Sequence, residues 1–223
     1  CSLSMTETRS PRIEQTDRTT LLAATIALLA WFALGTSLLR SLLSAGGVQD
    51  LLWELLVFSG FFTFWTNTAV ALAVTLPLLA PESKPGRFFR RAGVVTGIAA
   101  SIALVALVYE LLLRSGWDPL GIDLLLNLLL HYLIPVAFVG YWWLVTPKRH
   151  LSVRGPLLWL SYPAGYTAFV LVRGELAHTY PYPFLNVAEY GYPTVLVFVA
   201  GIGLFFLFLA FLFVGLGRFA ERR

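Results

Sequence analysis

The chain has 223 residues, of which 58% are hydrophobic and only 13% charged, where a soluble domain carries about 25% charged residues. Together with a mean hydropathy of +0.77, this excludes an ordinary soluble enzyme and indicates an integral membrane protein. The formal net charge of +4 does not point to nucleic acid, because the basic residues are scattered between apolar runs and read as topology signals.

Met5 reads as a natural start, and Cys1-Ser-Leu-Ser4 as an expression scar. The alternative is a lipidated amino-terminal cysteine, which needs that end on the outer face. Cys1 is the only cysteine, so neither an intrachain disulfide nor a thiolate metal cluster is expected. Residues 1–19 are polar, of mixed charge and interrupted by Pro11, the composition of a disordered cytoplasmic tail. Six apolar runs follow, predicting membrane helices over about 20–39, 51–80, 92–113, 122–145, 156–173 and 193–217. Breakers separate them: Gly46 and Gly47, Pro81 and Pro85, Gly116 with Pro119, Pro147, and the Pro181/Pro183 pair. Neither an internal repeat nor a soluble domain is visible. The expectation is therefore an all-α polytopic membrane protein with a single six-helix domain over 20–217 and a short cytoplasmic tail over 218–223.

Basic residues orient the bundle. Thirteen of the sixteen lie before the first helix, in the second and fourth loops or at the C-terminus; only Arg40, Arg114 and Arg173 fall on the other side. The positive-inside rule then places both termini in the cytoplasm, in a cell membrane. Trp53, Trp117, Tyr180, Tyr182, Tyr190 and Tyr192 gather near the outer ends and Trp142, Trp143 and Trp159 near the fourth loop, as interfacial rings do.

Polar groups inside hydrocarbon are costly and mark candidate sites. Counting from Glu54, Thr63 lies about 14 Å deep in the second run; counting from Asp123, His131 lies about 12 Å deep in the fourth. Thr63 and Asn67 share a helix face, as do Asn127, His131 and Pro135. Pro135 removes the hydrogen bond to the His131 carbonyl, and Asn127 is placed to bond an imidazole nitrogen and fix its tautomer. A threonine hydroxyl is a poor nucleophile until a neutral imidazole takes its proton, and an acyl-transfer intermediate also needs donors for its oxyanion. Asn67, Arg173 or a nearby tyrosine are the candidates for that role. The plain alternatives are a back-bonded threonine and an interhelical asparagine.

Glu110 and Arg173 lie near outer helix ends and are candidates to pair with each other, or Arg173 to hold a lipid headgroup, against simple snorkelling. Tyr166 lies below Arg173, and the Arg173–Asn186 segment, with Tyr180, reads as a lid or as an aromatic belt. His150 and His178 fall on opposite sides in loops, so neither joins His131. No metal-site spacing, phosphate loop, GxSxG elbow or HExxH is present, and no metal or cofactor is expected. Gly201 and Gly203 read as small residues permitting close helix packing.

Phe61-Phe-Thr-Phe-Trp-Thr-Asn67, the His131–Pro135 segment, and Tyr162-Pro-Ala-Gly-Tyr166 through Arg173-Gly174 to Tyr180-Pro-Tyr-Pro-Phe184 together resemble a bacterial branch of the androgen-induced / androgen-dependent TFPI-regulating protein family. The resemblance covers residues 20–217. It implies a membrane hydrolase with a threonine nucleophile and a histidine partner, acting in animal members on fatty acid esters of hydroxy fatty acids. Thr63 fits the aromatic-Thr-Phe context of the family threonine and Thr66 does not. His131 fits the family histidine, although its interval to the proline is one residue shorter than in the animal proteins. The expected partner is a membrane lipid substrate; the alternative is a non-enzymatic lipid or small-molecule binding or transport protein with a polar intramembrane pocket.

Overall fold

The structure, a computed structural model, describes residues 11–116, 118–149 and 151–220, with side chains from residue 17 onward. Expectations for residues 1–10, Trp117, His150 and the last three residues lie outside the described residues.

Every regular element among the described residues is helical. In chain order they are α1 (Pro11–Leu43), α2 (Val48–Ser59), α3 (Phe62–Leu79), α4 (Lys84–Phe89), α5 (Ala92–Val108), α6 (Ile122–Leu128), α7 (Ile134–Val145), α8 (Gly155–Trp159), α9 (Ser161–Ala177) and α10 (Val187–Ala220). Two π-turns extend this set: Tyr109–Leu113 continues α5, and Leu129–Leu133 joins α6 to α7. Among the described residues, five stretches are long and apolar enough to cross a membrane: Asp17–Leu43, Phe62–Leu79, Ala92–Gly116, Ile122–Val145 and Val187–Ala220.

Helix α9 has 17 residues, shorter than any of these five stretches, and carries Arg173, Gly174 and Glu175 near its end. Leu160 joins it to α8 with helical angles. The boundaries also differ from expectation at both ends of the chain. Residues 11–19, expected in a disordered tail, form the first turns of α1, and α10 runs on to Ala220. The predicted helix over 51–80 is two helices, α2 and α3, because Gly60 and an extended Phe61 (φ −90°, ψ 122°) break it. With its one proline far along at Pro77, the apolar run gives no hint of a break at Gly60, whose freed carbonyls must be bonded elsewhere.

The core is a bundle in which α1 packs on α3, and α5 packs on α3, α7 and α10. Small residues let these helices approach: Ala30, Ala33, Ala71, Ala99 and Ala100 are fully buried between Ile26, Val70, Val74, Ile102, Ile134 and Phe206. Large exposed apolar side chains such as Leu28, Leu79, Val136, Leu144, Leu176 and Val197 cover the outside, an arrangement suited to lipid rather than water.

The loops gather at two ends. At one, Lys148 is buried and donates to the Trp143 and Thr146 carbonyls at 2.7 and 2.8 Å, capping the end of α7 as a cation should. At the other, Arg40 pairs with Asp123 at 3.0 Å, and the 178–186 connection folds back over the bundle. His178 starts this connection in the left-handed region (φ 51°), and Pro183–Leu185 forms a single 3₁₀ turn within it.

Candidate active site: a threonine and a histidine at a helix break

Thr63 is the second residue of α3, so the break at Gly60 places its hydroxyl at a helix N-terminus. Three side chains hold the break by taking carbonyls that α2 can no longer use. Arg173 Nε donates to the Leu56 carbonyl at 2.8 Å, the Trp65 indole to Ser59 at 2.8 Å, and the Tyr166 hydroxyl to Gly60 at 2.6 Å. Phe62 packs between Tyr162 and Tyr166, with ring centroids 5.3 and 4.8 Å away.

His131 comes from the π-turn between α6 and α7. Its Nε2 lies 3.3 Å from the Thr63 hydroxyl, and its Nδ1 lies 3.2 Å from the backbone carbonyl of Asn127. A carbonyl only accepts, so Nδ1 carries the hydrogen and Nε2 turns its lone pair to Thr63. Asn127 thus fixes the tautomer through its main chain, not through its side chain. Tyr109, from the other π-turn, stacks on the imidazole at 4.0 Å with a 20° angle between rings. Two π-turns therefore face each other across the site, and such turns recur at functional positions.

Asn67 ties the two helices together. Its Nδ2 donates to the Thr63 carbonyl at 2.9 Å and to the Leu130 carbonyl at 3.2 Å. In the i→i−5 register of a π-turn, the acceptor facing Pro135 is Leu130, one residue before the His131 carbonyl expected from α-helical counting. Both Nδ2 hydrogens are engaged, so Asn67 has none left for an oxyanion. Its Oδ1 is buried without a partner among the described residues.

The remaining candidates divide. Arg173, buried, spans the Leu56 and Thr179 carbonyls and holds the 178–186 connection to α2; it does not reach Thr63. Glu110 accepts from Arg114 and from the Tyr132 hydroxyl, both at 2.6 Å, so its cation is Arg114 and not Arg173. The Tyr180 ring fills the place of a side chain on Gly174, where an added Cβ would come within 2.0 Å of it, and its hydroxyl donates to Glu175 at 3.3 Å. Tyr180 fastens the loop outside the site.

Tyr182 is the residue missed from the sequence beyond its place in the aromatic belt. Its hydroxyl lies beside the Thr63 hydroxyl, the Phe62 and Thr63 backbone amides, and the Tyr166 hydroxyl. Removal from water pushes its phenol above the ordinary value, so it is a donor at neutral pH. The only signal for it was the Tyr-Pro-Tyr-Pro run, which favours neither tyrosine.

A cavity of about 470 Å³ opens next to this group. Phe62, Thr63, Tyr109, Tyr166, Tyr182 and Phe184 surround one end, and the walls beyond are apolar side chains of α5, α9 and α10. Among the described residues no cluster of three or more His, Cys, Asp or Glu side chains is arranged to hold a metal.

Fold and site together define an all-helical, multi-pass architecture built of membrane-length apolar helices, with a threonine–histidine pair beside an apolar cavity. Comparison with protein-family models, curated proteins and solved structures finds no match.

Proposed function

We propose that this protein is an intramembrane lipid-ester hydrolase with Thr63 as nucleophile and His131 as base, and that it belongs with the androgen-induced / androgen-dependent TFPI-regulating family that its motifs resemble. The observation that carries the reading is the 3.3 Å approach of the Thr63 hydroxyl to an imidazole nitrogen whose opposite nitrogen is held by the Asn127 carbonyl. Nucleophile, base and orienting group then stand in the order that acyl transfer needs.

In this reading Thr63 Oγ1 attacks the ester carbonyl carbon while Nε2 takes its proton. The carbonyl π electrons move to oxygen, and the Tyr182 hydroxyl donates to the resulting oxyanion. Collapse breaks the bond to the leaving alkoxide, which takes the proton back from the imidazole. Water, deprotonated by the same nitrogen, then attacks the acyl-threonine, frees the carboxylic acid and regenerates Thr63. Fatty acid esters of hydroxy fatty acids are the proposed substrates. The proposed setting is a cell membrane, with α8–α9 as a sixth crossing and both termini in the cytoplasm.

The test is turnover of such an ester by purified protein. Thr63→Ala and His131→Ala each abolish turnover while leaving expression and thermal unfolding unchanged. The wild-type rate falls on acidification as Nε2 is protonated and can no longer accept the threonine proton. Full activity in Thr63→Ala overturns the nucleophile assignment. Lipid binding with no product from the wild type selects a binding or transport protein instead.

A further inference from the structure

The cavity beside Thr63 runs parallel to the helices. On α10 it is lined by Val199, Gly203 and Leu207, spaced four residues apart and therefore on one face. From Val199 to Leu207 is about 12 Å of helix rise. From Leu160, just before α9, the lining reaches Thr167, and along α5 and the π-turn that continues it the lining extends from Leu104 to Leu113. Its polar groups are confined to the Thr63 end, apart from the Thr167 hydroxyl, which donates to the Pro163 carbonyl at 2.9 Å and is satisfied within its own helix. Ala164, Ala200 and Leu204 line the cavity and are also exposed on the outside of the bundle, so the space between α9 and α10 is open sideways.

Gly203 sits midway along this space. A Cβ placed on it meets nothing within 4 Å, and the same holds for Gly201. The two glycines therefore do not serve close helix packing, the reading their spacing suggests. At Gly203 the missing side chain leaves the cavity continuous from Thr63 to Leu207. Taking a water-sized group as about 30 Å³, a cavity of 470 Å³ has room for roughly fifteen of them, and a methylene is close to that size. A long narrow space with apolar walls, a polar pair at one end and an opening toward lipid fits a single extended acyl chain better than a compact headgroup.

We propose that this cavity is an acyl-chain channel, loaded sideways between α9 and α10, and that Gly203 sets the length of chain it takes. That the chain ends in a scissile ester at Thr63 rests on the hydrolase reading; the channel itself does not. A bulky side chain at position 203 divides the space and leaves only the half nearer Thr63. Each methylene then denied burial weakens binding about fourfold.

The experiment measures displacement of a fluorescent fatty acid, cis-parinarate, from purified full-length protein by octanoate, laurate and palmitate. It is run on Thr63→Ala so that chemistry plays no part. With Gly203 intact, affinity rises from octanoate to palmitate. Adding Gly203→Phe lowers palmitate affinity by at least about tenfold and leaves octanoate unchanged. Val197→Phe, on the lipid-facing side of α10, changes neither. If Gly203→Phe fails to fold, Ala164→Leu narrows the same space from α9 and produces the same selective loss. An unchanged chain-length profile in folded Gly203→Phe or Ala164→Leu overturns the channel, as does an equal loss for all three acids. The two readings fail separately: a shifted binding profile with no ester turnover in wild type removes the hydrolase and keeps the channel. Turnover in wild type with an unshifted binding profile does the reverse.

Discussion

Tyr182 is the side chain on which the chemistry of the site turns most sharply. Its phenol oxygen lies beside the Thr63 hydroxyl and the backbone amides at the start of α3, the place from which its proton reaches the carbonyl oxygen of an ester attacked by Thr63 in the proposed mechanism. Removing one such donor costs about 10²–10³ in kcat. Tyr182→Phe is therefore expected to lower kcat by that order with little change in KM, measured on the same ester as Thr63→Ala. A parallel rise in KM with kcat intact would make Tyr182 a binding residue only. Thr63 and His131 were legible as polar groups at similar depth, because both intrude on apolar runs; that they face each other was not, and is seen only in their 3.3 Å approach. Tyr182 was not, because an aromatic ring near a membrane interface is the commonest place to find one and nothing local separates it from Tyr180.

At the level of elements, the 173–184 motif is a fastening for the α2–α3 break. Arg173 reaches back to Leu56 and forward to Thr179, Tyr166 holds Gly60, and the Tyr180 ring lies flat on Gly174. A methyl at position 174 would occupy the space of that ring, so the ring would have to move. Gly174→Ala is expected to destabilise the protein by about 1–3 kcal/mol, seen as earlier thermal unfolding in detergent, and to slow turnover because Tyr182 is carried on the displaced loop. Wild-type unfolding and rate in Gly174→Ala would show that the loop is not fastened there. The break itself was illegible for a physical reason: hydropathy scores side chains, and those of Val57 to Phe64 score the same whether the backbone between them is bent or straight. The π-turns were hidden in the same way, since one extra residue in a turn shifts hydrogen bonds without changing composition.

For the whole molecule, the apolar runs located the five membrane-length helices, because length and apolarity are what a bilayer selects; their limits agree at Ile122–Val145 and differ most at the start of Phe62–Leu79. The fifth run of the sequence, now α8 and α9, is the one whose crossing depends on the charge pattern, since Arg173 and Glu175 sit inside the last turns of α9. Accessibility decides it. In a Cys1→Ser background, single changes Ser44→Cys, Ser83→Cys, Ser152→Cys and Thr179→Cys are treated with a membrane-impermeant thiol reagent on intact cells. Six crossings with both termini inside give labelling at positions 44 and 179 only, and at 83 and 152 after permeabilisation. Labelling of positions 152 and 179 from the same side would reduce the count to five and put the C-terminus outside.

The facing π-turns have a consequence for how this chain tolerates change. Each holds one residue more than an α-helix of the same hydrogen-bonding span, so a substitution within it leaves the geometry in place whereas the loss of a single residue erases it. Closing the Leu129–Leu133 turn would swing everything after it by about 100° relative to what precedes it, parting Leu130 from Asn67 or His131 from Thr63. Closing the Tyr109–Leu113 turn would do the same to Glu110 and Arg114 relative to the ring stacked on His131. Apart from His131 and Tyr109 themselves, it is the count of residues in these two short stretches, more than their identity, that heredity has to preserve.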